Sequence, residues 1–149
     1  MSKISGAQLV LRCLKAHGIQ KLFTIVGDTI LPLCDATIDE GMDLVDTRHE
    51  AAALHMADGW CRVTGQPAAA LVTGGPGFAN AISALPNIFT SESPVILLAG
   101  CGPLAELGMY SLQEIVEGCV DHAIKMHGWK GFERELYQKM LAHVRTVKE

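Results

Sequence analysis

Residues 68–77 read AAALVTGGPG, and this stretch decides the fold class. Its first six residues form an uncharged, mostly apolar run without alternation, which predicts a strand that is covered on both faces. The glycines and proline of Gly74–Gly77 predict a tight turn into a helix from about Phe78 to Phe89, kinked at Pro86. A buried strand that turns directly into a helix is typical of a parallel α/β sheet.

The same strand and helix patterns recur on both sides of this stretch. Further strands are predicted over Lys21–Val26, Asp43–Thr47 and Pro94–Ala99, the last of them buried. Further helices are predicted from Ser5 to about His17, around residues 30–38, over residues 49–63, over Ser111–Glu117 and over Trp129–Lys148. Because strands that alternate with helices pair in parallel through right-handed crossovers, we expect a doubly wound α/β fold. Its sheet should be mainly parallel, with helices on both faces.

Helical spacing also predicts which side of each early helix faces the core. For the first helix, the predicted core face is Ala7, Leu9, Val10, Cys13 and Leu14. For the second, it is Ile30, Leu31, Leu33, Cys34 and Ile38.

Length and composition narrow the possible functions. The 149 residues suit one domain, and the net charge of −4, with no basic cluster, argues against nucleic-acid binding. No apolar window is long enough for a membrane span, and the start does not resemble a secretory leader. The five cysteines form no C-x-x-C pair, so reduced thiols and a cytoplasmic location are expected. No metal site is predicted, because the H-E-x-x-H pattern fails at Ala53.

Three loops should lie at the carboxyl ends of the strands, where parallel sheets bind ligands: residues 27–29, 48–50 and 74–77. The glycines of the third loop suit either a phosphate cradle or a plain tight turn, and the pattern alone does not separate the two. Glu50 opens a helix, so its carboxylate suits either a functional role or simple complementation of the helix dipole.

Two longer strings resemble a known family. Residues 48–65, RHEAAALHMADGWCRVTG, resemble the catalytic-glutamate helix of thiamine-diphosphate-dependent enzymes, and residues 72–80, VTGGPGFAN, are similar to their glycine-proline loop. The likeness covers about residues 3–115. It is greatest to the N-terminal pyrimidine-binding domain of the acetolactate synthase, pyruvate oxidase and 2-hydroxyacyl-CoA lyase group. Family members commonly carry proline where this chain has Thr29, and the sequence is atypical from about residue 116.

The resemblance implies thiamine diphosphate as the cofactor and a role for each matching residue. Glu50 would be the catalytic residue that hydrogen-bonds the N1′ nitrogen of the aminopyrimidine ring. The other implied contacts are Gly75, Pro76 and Asn80 in the pyrimidine pocket, with Gly27, Asp28 and Gln113 on the substrate side.

Nothing in the chain resembles the G-D-G…N motif with which this family binds Mg²⁺ and the diphosphate. The resemblance therefore implies a half-site of a 2-keto-acid decarboxylase or carboligase, inactive without a diphosphate-binding partner domain or subunit that holds Mg²⁺. A homo- or hetero-oligomer is expected. Two other interpretations remain open: a non-catalytic or truncated paralogue that acts as a binding or regulatory module, and an unrelated nucleotide-binding α/β protein.

Overall fold

The computed structural model describes residues 4–103 and residue 105. The chain divides into Met1–Ile115 and Val116–Glu149, and every element below lies in the first unit. The strands are β1 (Lys21–Thr24), β2 (Asp43–Asp46), β3 (Ala68–Val72) and β4 (Val95–Ala99). The helices are α1 (Gly6–Ala16), α2 (Leu31–Glu40), α3 (Glu50–Thr64), α4 (Pro76–Ile82) and α5 (Leu85–Thr90), with a 3-10 turn over Asp28–Ile30. The predicted helices Ser111–Glu117 and Trp129–Lys148 lie outside the described residues.

The four strands form one parallel sheet in the order β2-β1-β3-β4. Strand β1 lies inside the sheet, and its Leu22 is in register with Leu44 of β2 and Ala69 of β3. From the central pair β1 and β3, the connection after β1 runs outward to β2 at one edge of the sheet, and the connection after β3 runs outward to β4 at the other edge. This arrangement confirms the predicted doubly wound α/β class.

Alternate residues of the central strands point into two separate cores. On one face, Phe23, Ala70 and Val72 pack with buried residues of α3, α4 and α5. On the other face, Leu22 and Ala69 pack with α1 and α2. Strand β3 is buried along its whole length, as its uninterrupted apolar sequence predicted. Its small alanines leave room for helices to pack closely on both faces.

The predicted core face of α1 is wrong in part. Leu11 and Leu14 are buried, whereas Leu9 is 52% exposed and Cys13 is also exposed. Residues 7, 11 and 14 are spaced by four and three, so they form the inward stripe. Ala7 and Leu14 were predicted correctly, whereas Leu9, Val10 and Cys13 lie to one side of the stripe.

The predicted core face of α2 is wrong in the same way, because Leu31 is exposed and Ile38 is 79% exposed. Thr37 takes the inward position, where its hydroxyl donates to the Cys34 carbonyl at 2.6 Å. A threonine whose hydroxyl is paired in this way can be buried at little cost.

Pro86 separates two helices instead of kinking one. Helix α4 ends at Ile82, and Pro86 lies in the first turn of α5. Proline suits a first turn because no helical carbonyl needs its missing N–H there. The prediction that β4 is a buried strand is also wrong for the part of the chain that the structure describes. There β4 is an edge strand, and its Ile96 is 41% exposed.

A buried ionic cluster joins α3 to α5 and to the start of β4. The carboxylate of Asp58 is only 6% exposed, and its Oδ1 accepts a hydrogen bond from Nε of Arg62 at 2.9 Å, while Nη2 of Arg62 forms an ion pair with Oδ2 at 2.8 Å. Asn87 donates to it at 3.0 Å, and the Ser93 hydroxyl donates to its other oxygen. The hydrogen bond from Arg62, together with that from Ser93, holds the pKa of Asp58 below its ordinary value.

We expect Asp58→Asn to lower the free energy of unfolding at pH 7 by about 1.5–3 kcal/mol, the usual range for hydrogen bonds to a charged group. The folded pKa is lowered, so the contribution of Asp58 is complete above its unfolded pKa of about 3.9 and is lost as the pH falls through the folded value. Denaturant titrations from pH 7 to pH 2.5 should therefore show wild type and Asp58→Asn converging only below about pH 4.

The matched control for this measurement is Asp46→Asn, which breaks the exposed ion pair with Arg48. Exposed pairs contribute about 0–1 kcal/mol, so this variant should be close to wild type at every pH. Equal losses in the two variants would contradict the role given to the buried cluster.

Candidate active site

The three predicted ligand loops meet in the crevice between the carboxyl ends of β1 and β3. The hydroxyls of Thr29, after β1, and Thr73, after β3, are 2.9 Å apart. Because the connections from these strands run to opposite sides, the crevice is the topological switch point at which open parallel sheets bind ligands. The loop before α3 reaches the same place through Glu50, which lies beside Gly77 of the third loop.

Glu50 is placed by the way in which α3 begins. His49 is extended, with φ −161° and ψ 145°, and its Nδ1 accepts the Ala51 N–H at 3.1 Å. Before it, the Thr47 hydroxyl lies 3.0 Å from the Thr24 carbonyl and 3.1 Å from the His49 carbonyl. The helix start is therefore attached to the end of β1, and Glu50 becomes its first residue, half-buried at the crevice.

The two carboxylate oxygens of Glu50 have different surroundings. Oε2 accepts a hydrogen bond from the side-chain amide of Asn80 at 3.0 Å. Oε1 accepts none from the residues that the structure describes, and it lies 3.2 Å from where a Cβ on Gly77 would be. Asn80 thus orients the carboxylate and leaves Oε1 available for a ligand.

The glycine-proline loop can approach this carboxylate because it lacks side chains. Gly75 has φ 61° and ψ −119°, a conformation that side chains other than glycine's rarely adopt. Pro76 then starts α4. A Cβ on Gly77 would lie 2.6 Å from the Thr73 methyl group, well inside van der Waals contact.

The remaining predicted site residues have mixed placements. Gly27 lies in the crevice, where an added Cβ would be 2.7 Å from the Thr73 Cβ. Asp28 is exposed at the start of the 3-10 turn. Gln113 lies outside the described residues. Within residues 4–103 and 105, no His, Cys, Asp or Glu side chains group into a possible metal site, and no helix is long and apolar enough to cross a membrane.

Sequence reasoning missed the threonines that connect the strand ends. Thr24 donates to the Leu71 carbonyl at 2.6 Å, which joins β1 to β3, and Thr47 joins the start of α3 to β1. Thr29 and Thr73 join the loops that follow β1 and β3. The available signal was position for three of them, because Thr24 ends β1 and Thr47 and Thr73 come directly after β2 and β3, whereas Thr29 lies in the 3-10 turn.

Comparison with known proteins agrees with this geometry. The family described as "Thiamine pyrophosphate enzyme, N-terminal TPP binding domain" matches residues 4–123. The chain belongs to this family. The resemblance drawn from the motifs is thereby confirmed.

The chain is similar to two full-length relatives of different activity. It is 43% identical over 110 residues to a probable acetolactate synthase of Mycobacterium bovis, covering 74% of the chain and 20% of that protein. It is 41% identical over 114 residues to 2-hydroxyacyl-CoA lyase 2 of Xenopus laevis, covering 76% and 18%.

The thiamine diphosphate-dependent 4-hydroxybenzoylformate decarboxylase of Rhodococcus jostii RHA1 superposes with a TM-score of 0.71 at 29% identity, covering 77% of this chain and 22% of that one. The chain thus spans about a fifth of the length of these proteins.

The crowding at Gly77 predicts an unusual effect of alanine in this thiamine pyrophosphate-family domain. Alanine normally stabilises an exposed helical position by about 0.5–1 kcal/mol over glycine. Gly59→Ala in α3, where nothing lies within 4 Å of the new Cβ, should show that gain. Gly77→Ala should instead lower the free energy of unfolding by about 1–3 kcal/mol, because its Cβ overlaps Thr73.

Chemical denaturation of the two variants measures the difference directly. Equal stabilisation by both alanines would show that the contact between α4, Thr73 and Glu50 is looser than described.

Proposed function

We propose that this domain supplies the pyrimidine-binding half of a thiamine-diphosphate site in a 2-keto-acid decarboxylase or carboligase of the acetolactate synthase type. The observation that carries the proposal is the carboxylate of Glu50. One of its oxygens is held by Asn80, and the other lies beside the side-chain-free Gly77 in the crevice.

The residues present fit the aminopyrimidine of the cofactor. A flat heteroaromatic ring needs a surface without projecting side chains and a hydrogen-bonding group for its ring nitrogen. Gly75, Pro76 and Gly77 provide such a surface, and Oε1 of Glu50 provides the hydrogen-bonding atom. Thiamine diphosphate, when bound, supplies an electron sink for cleaving or forming the bond next to a carbonyl group.

In this function, the chain's own residues would bind and orient the cofactor's pyrimidine ring and hold a proton. Glu50 would hydrogen-bond N1′ of the pyrimidine through Oε1 and hold the shared proton there. Asn80, which already donates to Oε2, would prevent the carboxylate from rotating away. The Gly27–Asp28 loop and Gln113 would lie toward the substrate.

The second half of the site would come from a partner. We propose that a diphosphate-binding domain or subunit holds Mg²⁺ and the cofactor's diphosphate, so that this chain is inactive alone and works in a homo- or hetero-oligomer in the cytoplasm. The relatives support this division, because the matched region is only about a fifth of their length.

Replacing Glu50 tests the proposal. The full chain would be mixed with a diphosphate-binding partner chain, thiamine diphosphate, Mg²⁺ and pyruvate, and CO₂ release and acetolactate would be measured. Activity should need both chains. Glu50→Gln should lower it by about 10²–10⁴-fold, the range for a positioned proton-transfer group.

Glu40→Gln is the matched control, because Glu40 on α2 forms an ion pair with Arg12 on α1, away from the crevice. It should keep wild-type turnover. Full activity in Glu50→Gln would refute the catalytic assignment. Tight binding to an intact family member without activity would instead support a regulatory module.

Replacing Asn80 separates orientation from chemistry. Asn80→Ala keeps the Glu50 carboxylate but removes the hydrogen bond to Oε2, which leaves the carboxylate free to rotate. Because misplacing a catalytic group by about 1 Å costs up to about 100-fold, we expect turnover to fall about 10- to 100-fold, with the melting temperature nearly unchanged at this exposed position. Unchanged turnover would show that Asn80 does not orient Glu50.

A further inference from the structure

Two threonine hydroxyls form a hydrogen bond to each other in the crevice. The Oγ1 atoms of Thr29 and Thr73 lie 2.9 Å apart, and the Gly74 N–H donates to Thr29 Oγ1 at 3.0 Å. Thr29 therefore joins the loop after β1 to two successive residues of the loop after β3. No backbone ladder does this, because β1 and β3 pair only up to Thr24 and Leu71.

Three glycines surround this pair, and the pair fits between them because they have no side chains. A Cβ on Gly100, after β4, would lie 2.1 Å from Thr29 Oγ1, and one on Gly27 would lie 3.0 Å from Thr73 Oγ1. On the other side, a Cβ on Gly77 would overlap the Thr73 methyl group. The loops after β1, β3 and β4 are thus packed around one hydrogen-bonded pair.

The packing continues to the carboxylate. The Thr73 methyl lies against Gly77, Gly77 lies against Glu50 Oε1, and Asn80 on the same helix donates to Glu50 Oε2. A shift of Thr73 would therefore move the start of α4 relative to Glu50.

We propose that Thr29 is a positioning residue: its hydroxyl locks Thr73 and thereby fixes the distance between α4 and Glu50. The positioning role stands on the contacts above, and only its catalytic use rests on the proposed function.

The direct test uses the full chain without cofactor and follows the Asn80 side-chain amide by ¹⁵N–¹H NMR. That signal reports the hydrogen bond to Glu50, and Asn80→Ala assigns it. Thr29→Val, which keeps the shape but removes the hydroxyl, should move the signal toward its position in Glu50→Ala, where the acceptor is gone. Thr29→Ser, which keeps the hydroxyl, should restore the wild-type position.

Thr37→Val is the matched control, because it removes a buried hydroxyl whose partner is the Cys34 carbonyl in α2. It should lower the melting temperature without moving the Asn80 signal. Thr73→Ser provides a second route if Thr29→Val does not fold, since it keeps the hydroxyl and deletes the methyl that touches Gly77. It should also move the signal.

An Asn80 signal that stays at its wild-type position in folded Thr29→Val would overturn the proposal, whatever the melting temperature. If Thr29→Val does not fold, an unmoved signal in Thr73→Ser would overturn it. The assembled enzyme gives an independent reading: Thr29→Val should lower kcat about 10- to 100-fold, and Thr29→Ser should recover it. If wild type shows no activity with any partner, the proposed function fails, while the NMR comparison still decides whether Thr29 positions α4.

Discussion

The structure depends on one close approach, in which the chain after β3 passes between Thr73 and Glu50 at Gly77 with no space for a side chain. This contact brings the start of α4 to the carboxylate at the start of α3. Helices α3 and α4 pack on the same face of the sheet, so their first turns lie side by side at the crevice. Glycine is required by the neighbouring atoms here, whereas at Gly75 it is required by the backbone conformation.

Much of the fold could be predicted because it follows from long, simple patterns. The run AAALV in β3 indicated a strand buried on both faces, and the alternation of strands with helices indicated a parallel sheet. The predicted start of the first helix at Ser5 is also correct, because Ser5 is the N-cap of α1. The errors concern details that neighbours decide. The choice of Leu11 over Leu9 depends on how α1 rolls against the sheet, and the exposure of β4 depends on its place at the edge of the described sheet.

From residue patterns alone the candidate site could be predicted only as a set of loops, and it was the resemblance to a family that named Glu50 and Asn80 within them. Their convergence follows from topology, since the carboxyl ends of parallel strands share one edge. The bond from Asn80 to Glu50 joins residues thirty positions apart, and no local pattern specifies it. The threonines are still harder to predict, because a threonine at a strand end is common and only the finished fold shows which hydroxyls meet.

Helix α3 carries two acidic side chains whose surroundings separate a structural role from a functional one. Both oxygens of Asp58 are engaged, by Arg62, Asn87 and Ser93, so this carboxylate has no capacity left for a ligand and serves to hold elements together. Glu50 lies about 12 Å away along the helix at 1.5 Å per residue, and among the described residues only one of its oxygens is engaged. Glu50 is only half-buried, and no buried side-chain nitrogen or oxygen of the described residues lacks a hydrogen-bond partner, so water can occupy the second position of its carboxylate without a large cost. Of the two acids on α3, Glu50 is therefore the one that can exchange that water for a hydrogen bond to a ligand in the crevice.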